Sequence, residues 1–192
     1  QGLWNGARSR SHDGQSNVDG RTRLRALQVI GSLPVDASKV LVHAFISSRL
    51  DYYNSLLYGI ADGLLQKLQS IQNAAARLIT RARRRDHITP VLRELHWLPV
   101  RQRIKFKVAC LVFQSLSNQA PEYLIADCRL VTGSLRSAST RTCAVPRTHN
   151  GFGDRSFATS GPHLWNTLPK DIRQADISYT HFKQLLKTSL FQ

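Results

Sequence analysis

The chain has 192 residues, 42% of them hydrophobic, enough for one domain or two small ones with a real core. Twenty-seven basic residues stand against twelve acidic ones, giving a formal charge of +15 and a pI near 10.7. This balance makes nucleic acid the first partner to consider, before an anionic membrane surface or an acidic protein. The N-terminus, QGLWNGARSRSHDGQSNVDG, carries no apolar secretory core, and no apolar run approaches the roughly 20 residues of a membrane helix.

Residues 1–20 are polar, Gly-rich and aperiodic, and read as a disordered leader. Leu24, Leu27 and Ile30 then mark a short helix that Pro34 ends. Asp36 can cap the next, in which Val40, Leu41, Ala44, Phe45, Ser48 and Tyr52 recur at helical spacing until Gly59. A third helix is expected from about Asp62, with Leu64, Leu68, Ile71, Ala75 and Leu78 as its buried stripe. It runs into Arg81, Arg83, Arg84 and Arg85, which also complement the negative end of a helix dipole.

Thr89 as cap and Pro90 at the first position predict a short helix ending near Trp97. Leu98-Pro99 opens another, buried along Val100, Ile104, Val108, Leu111 and Ser115 and closed by Asn118 to Pro121. Arg101 with Lys105, and Arg103 with Lys107, flank that face as two basic ridges at i, i+4 spacing. From about 127 to 162 no helical period is sustained, and a loop-rich arm with short strands near Thr142 to Val145 is expected. Arg136, Arg141, Arg147 and Arg155 keep it positive. A last amphipathic helix is predicted over Tyr179 to Leu190, with Phe182, Leu185 and Leu186 inward.

The stretch from Arg77 to Lys107 concentrates the charge, with ten basic residues around Asp86 and Glu94. Its basic residues lie among folding segments, so they predict a structured surface for a polyanion. Arg77, Arg81, Arg83, Arg84, Arg85, Arg101, Arg103, Lys105 and Lys107 are the contact candidates.

Catalytic chemistry finds little support. The ten Asp and two Glu are each isolated, whereas a two-metal nuclease or polymerase site converges several carboxylates on cations roughly 3.5–4 Å apart. Cys110, Cys128 and Cys143 form no C-x-x-C and read as reduced thiols of an intracellular protein, with Cys110 in the core. His87 and His96 lack ligand-spaced partners, so neither a metal nor another cofactor is expected. Trp97, Phe106 and Tyr52-Tyr53 either stack bases or pack in a core, and packing is the preferred reading for Trp97 and Phe106.

Five blocks occur in order: HAFISSRLDYYNSLLYG, LQKLQSIQNAAARLIT, DHITPVLRELHWLPVRQRIKFKVACLVFQSL, APEYL and FGDRSFATSGPHLWNTLP. Together they resemble the C-terminal part of reverse transcriptases of non-LTR retrotransposons (LINE elements), most of all the chicken-repeat-1 and jockey-like branch. The resemblance covers about Arg21 to Phe191. It implies a mainly α fold: a small thumb-like helical bundle over 21–85, then a helical C-terminal extension over 86–192. It also implies a partner, the template–primer duplex of RNA or DNA, and a docking face for the palm domain. The blocks lie after the palm, so the catalytic aspartate pair and the endonuclease are absent and no enzymatic activity is expected. The poorly matching leader suggests a truncated or decayed copy. An intracellular protein in nucleus or cytoplasm follows. The rival readings are a protein-interaction module and a translated remnant without selected activity.

Overall fold

The computed structural model describes residues 58–131 and 141–191, together with Pro34, Ala37, Lys39, Val40 and Ala44. The leader, the helix around Leu24 to Ile30 and most of the helix through Tyr52 lie outside the described residues. Ala37, Lys39 and Val40 are helical. The fold is mainly α, as the sequence predicts. From Tyr58 onwards the described helices are α1 Asp62–Thr80, α2 Ile88–Glu94, α3 Val100–Leu116, α4 Glu122–Asp127, α5 Gly151–Arg155, α6 Phe157–Thr167 and α7 Tyr179–Leu190, with a 3-10 turn at Lys170–Arg173.

α1 starts with Asp62 in its first turn and ends at Arg81, whose left-handed φ of 57° stops the ladder. The expected stripe is turned relative to the packed face. Leu64 and Ile71 are 53% and 52% exposed, and of the five stripe residues Ala75 alone is fully buried. The helix instead buries Gln72, Ala75, Ala76 and Ile79. Two alanines side by side let α2 and the segment after it approach closely, and Ala76 packs with Val91 and Leu92. Leu95 and Trp97 close over Ala75 and Ile79.

α2 begins earlier than the Thr-Pro signal predicts. His87 is its N-cap and makes no side-chain cap bond, and Thr89 lies inside the helix. Pro90 is therefore the third helical residue, where an N–H would have no partner within the helix anyway. His96 then takes φ 55°, turning the chain so that Trp97 packs inward and Leu98-Pro99 leads into α3.

α3 is the centre of the molecule and touches α1, α4, α6 and α7. Val100, Ile104, Val108 and Ser115 are buried as their spacing predicts, while Leu111 is half-buried. Ala109, Cys110, Val112 and Phe113 are buried as well, because neighbours cover more than one side of the helix. Phe113 stacks on Phe182 of α7 at 4.4 Å between centroids, and Trp165 of α6 lies 5.8 Å from Phe182. Trp165 and Phe182 are completely buried. Truncating either to Ala would cost about 3–5 kcal/mol.

The expected loop-rich arm over 127–162 is partly corrected. In place of the short strands expected near Thr142 to Val145, Leu130 and Cys143 form one isolated antiparallel bridge, and no strand forms among the described residues. But α5 and the first half of α6 fall inside the same span. Gly and Pro hid them. At Gly161 a Cβ would lie 3.0 Å from Val112 Cγ2, so glycine is what lets α6 lie against α3. Pro162 sits inside α6 and is buried. Its ring removes one helical donor beside the point where Gly161 meets α3. The Asn166 amide accepts from Cys143 N–H at 2.9 Å and donates to Cys143 C=O at 2.8 Å. The Trp165 indole donates to Arg141 C=O at 2.7 Å. These three bonds fasten the returning segment to α6. α7 spans the expected Tyr179–Leu190, with Ser178 capping it through its hydroxyl.

Candidate nucleic-acid interface

The side chains of α1 set the position of α3. Gln69 Oε1 accepts from Val100 N–H at 2.8 Å, satisfying one of the unpartnered donors at the start of α3. Gln72, 1% exposed, donates to Leu98 C=O at 2.9 Å. Gln69 also donates to Gln72 Oε1 and Asn73 Oδ1, so this amide chain is held in one arrangement. It brings Arg101, one residue into α3, to Asp62 at the start of α1, where the two form an ion pair.

Consequently the candidate cations separate into two groups. Arg81, Arg83, Arg84 and Arg85 follow the last residue of α1 and are all exposed. Lys105 is exposed on α3 and shares a cleft with Asp62 at the other end of α1, while Lys107 is exposed on the other flank of α3. A helix of 19 residues at about 1.5 Å per residue is about 28 Å long. The run that is continuous in sequence is thus divided in space by the length of α1.

Three candidates are already engaged. Arg77 is half-buried and donates to Asp86 C=O at 3.3 Å, while its Nε is buried without a partner. Its guanidinium ties the end of α1 to the turn before α2. Arg101 shares its charge with Asp62, an acid the sequence reading passed over. Arg103 is half-buried and has a partner of its own. Arg83 is held at its backbone, where its N–H donates to Asp86 Oδ2 at 2.6 Å, leaving its side chain exposed. Arg81, Arg84, Arg85, Lys105 and Lys107 pair with no described acid.

Among the arm residues, Arg147 and Arg155 are exposed, whereas Arg141 is half-buried with Nη1 enclosed. Arg136 lies outside the described residues, as do Tyr52 and Tyr53. Trp97 and Phe106 are half-buried against apolar clusters, as preferred from the sequence.

Two clefts border these groups. One, of about 250 Å³, is lined by Tyr58, Gly59, Ile60, Asp62, Leu65, Arg101, Ile104 and Lys105, so the α3 ridge forms its rim. Burial of the Tyr58 phenol raises its pKa. The other, of about 640 Å³, lies between Lys39, Val40 and Ala44 and the corner formed by Glu94, Leu95, His96 and Trp97. Neither was legible in the sequence, because both join segments far apart in the chain.

All three thiols are buried and unpaired. Loss of solvent pushes Cys110 and Cys128 up to about 11, and Cys143 up to about 12. Tyr179, beside Cys110, rises to about 12 for the same reason. These thiols suit a core rather than nucleophilic chemistry. Among the described residues no group of three or more His, Cys, Asp or Glu is placed to hold a metal. No described helix is long and apolar enough to cross a membrane.

No protein-family model, curated protein or solved structure matches the chain.

Proposed function

We propose that this chain is the thumb and post-thumb region of a non-LTR retrotransposon reverse transcriptase, and that it holds RNA or DNA through phosphates without reading sequence. The observation that carries the reading is uncompensated charge on structured backbone. Arg81, Arg84, Arg85, Lys105 and Lys107 are exposed and pair with no described acid; the arginines follow the end of α1, and Lys105 shares a cleft with Asp62 at its start. A span of about 28 Å matches roughly eight steps of a strand rising 3.4 Å per nucleotide. An extended polyanion can therefore engage both groups, whereas a compact anion engages one. Arginine adds bidentate phosphate contacts to the simple charge of lysine.

No catalytic role is proposed for any of these 192 residues, because none matches the family's aspartate-pair or endonuclease motif. It places the protein in the nucleus or cytoplasm, where reduced thiols are the rule. The test is binding to single strands, duplex and RNA–DNA hybrid across a salt series. Log affinity should fall linearly with log salt and change little with base sequence. Affinity that ignores salt would contradict the reading.

A second reading, docking of a palm or another protein, rests on Leu64 and Ile71, which share one face of α1 and are exposed. It predicts concentration-dependent self-association of the isolated chain in sedimentation, abolished by L64E/I71E. A monomer at all concentrations, with no palm bound, would sink it.

A further inference from the structure

Phe152 is 83% exposed, the most exposed of the large apolar side chains described. Glycines flank it on both sides, and a Cβ built on Gly151 would meet nothing within 4 Å, so no neighbouring side chain covers the ring from that position. The backbone beneath it is nonetheless fixed. Asn150 Oδ1 accepts from Gly153 N–H at 2.7 Å, Ser156 donates to Gly153 C=O at 2.6 Å, and the Thr148 hydroxyl donates to the Asp154 carboxylate. The ring is thus presented on a tied segment. Arg147 and Arg155 stand on either side of it in the chain, both exposed and paired with no described acid.

Arg155 links this segment to the α3 ridge. Its stem crosses Gly59, whose φ of +71° favours glycine and where a Cβ would lie 2.8 Å from Arg155 Cγ and displace that stem. Gly59 also lines the cleft whose rim carries Lys105 and Arg101. Arg155 therefore stands at the cleft that Lys105 borders, three residues along α5 from Phe152.

We propose that Phe152 is a stacking platform for an unpaired base, on a single strand whose phosphates run from Lys105 across the cleft to Arg155. This rests on the phosphate-binding reading of the α3 ridge and adds strandedness to it. An unpaired base offers a free face to an aromatic ring, while in a duplex both faces are taken by neighbouring pairs. Positive charge beside the ring favours this occupant over an apolar protein surface.

The test compares labelled oligo(dT) with a blunt duplex of the same length, using wild type, F152A and F152W, each with its fold checked by circular dichroism. F152A should weaken oligo(dT) binding about tenfold and leave duplex binding unchanged. Its salt slope should equal that of wild type, because the ring carries no charge. F152W should keep the affinity, and oligo(dT) should quench its added indole emission. If wild type binds both ligands with a steep salt dependence and F152A changes neither, or weakens both equally, stacking is overturned and the phosphate reading stands. If wild type binds neither, both fall.

Discussion

Burial decides the chemistry of single residues in this chain. Cys110, Cys128 and Cys143 sit in the core around Phe113 and Trp165, and their raised pKa values state a linkage. The unfolded thiols ionise near pH 9, while the folded ones remain neutral until about 11 to 12. The folded state's advantage is therefore full below pH 9 and is lost as pH rises through the folded values. Urea midpoints should fall steadily from pH 8.5 to pH 11 by more than in a chain with all three replaced by Ala or Ser. In the native protein an aromatic disulfide reagent at neutral pH should titrate no thiol within the mixing time, and in denaturant all three. Rapid native reaction of any one would contradict the burial. Arginine shows the same contrast. Arg77, Arg141 and Arg173 each enclose a nitrogen with no partner, whereas Arg84 and Arg85 are in solvent. Charge count alone could not separate these groups.

Between elements, the amide chain Gln69–Gln72 does the orienting. Gln72→Ala removes the donor to Leu98 C=O in a place without solvent. The expected loss is about 1–3 kcal/mol, seen as a lower urea midpoint at unchanged m-value. An unchanged midpoint would show that the bond to Leu98 contributes nothing. The element scale is also where the sequence was most and least informative. The period of Val100, Ile104 and Val108 and that of Phe182 and Leu186 located α3 and α7, because large apolar side chains make those contacts. The stripe on α1 misled for the opposite reason. Its contact uses Ala75, Ala76 and a buried glutamine, residues that a hydrophobic count undervalues. α5 and α6 were concealed by Gly151, Gly153, Gly161 and Pro162; the close approach of Gly161 to Val112 of α3 appears only in three dimensions. The basic candidates were legible as residue types. Their engagement was not, because Asp62 lies 39 positions from Arg101 in the chain.

At the scale of the whole molecule, α3 is the axis on which both the aromatic core and the basic ridge depend. One face packs Phe113 against α6 and α7, and the two flanks carry Lys105 and Lys107 in solvent. The second basic group lies beyond α1, so the proposed interface is long and divided. On the proposed reading, the two groups contact phosphates independently. The most direct measurement is the salt dependence of duplex binding for wild type, R84Q/R85Q, K105Q/K107Q and the fourfold variant. Each pair should lower the slope of log affinity against log salt by about 1.8, for two lost phosphate contacts at about 0.9 each. The fourfold variant should lower it by the sum, because groups this far apart act additively. Slopes that stay at the wild-type value in both double variants would contradict the claim.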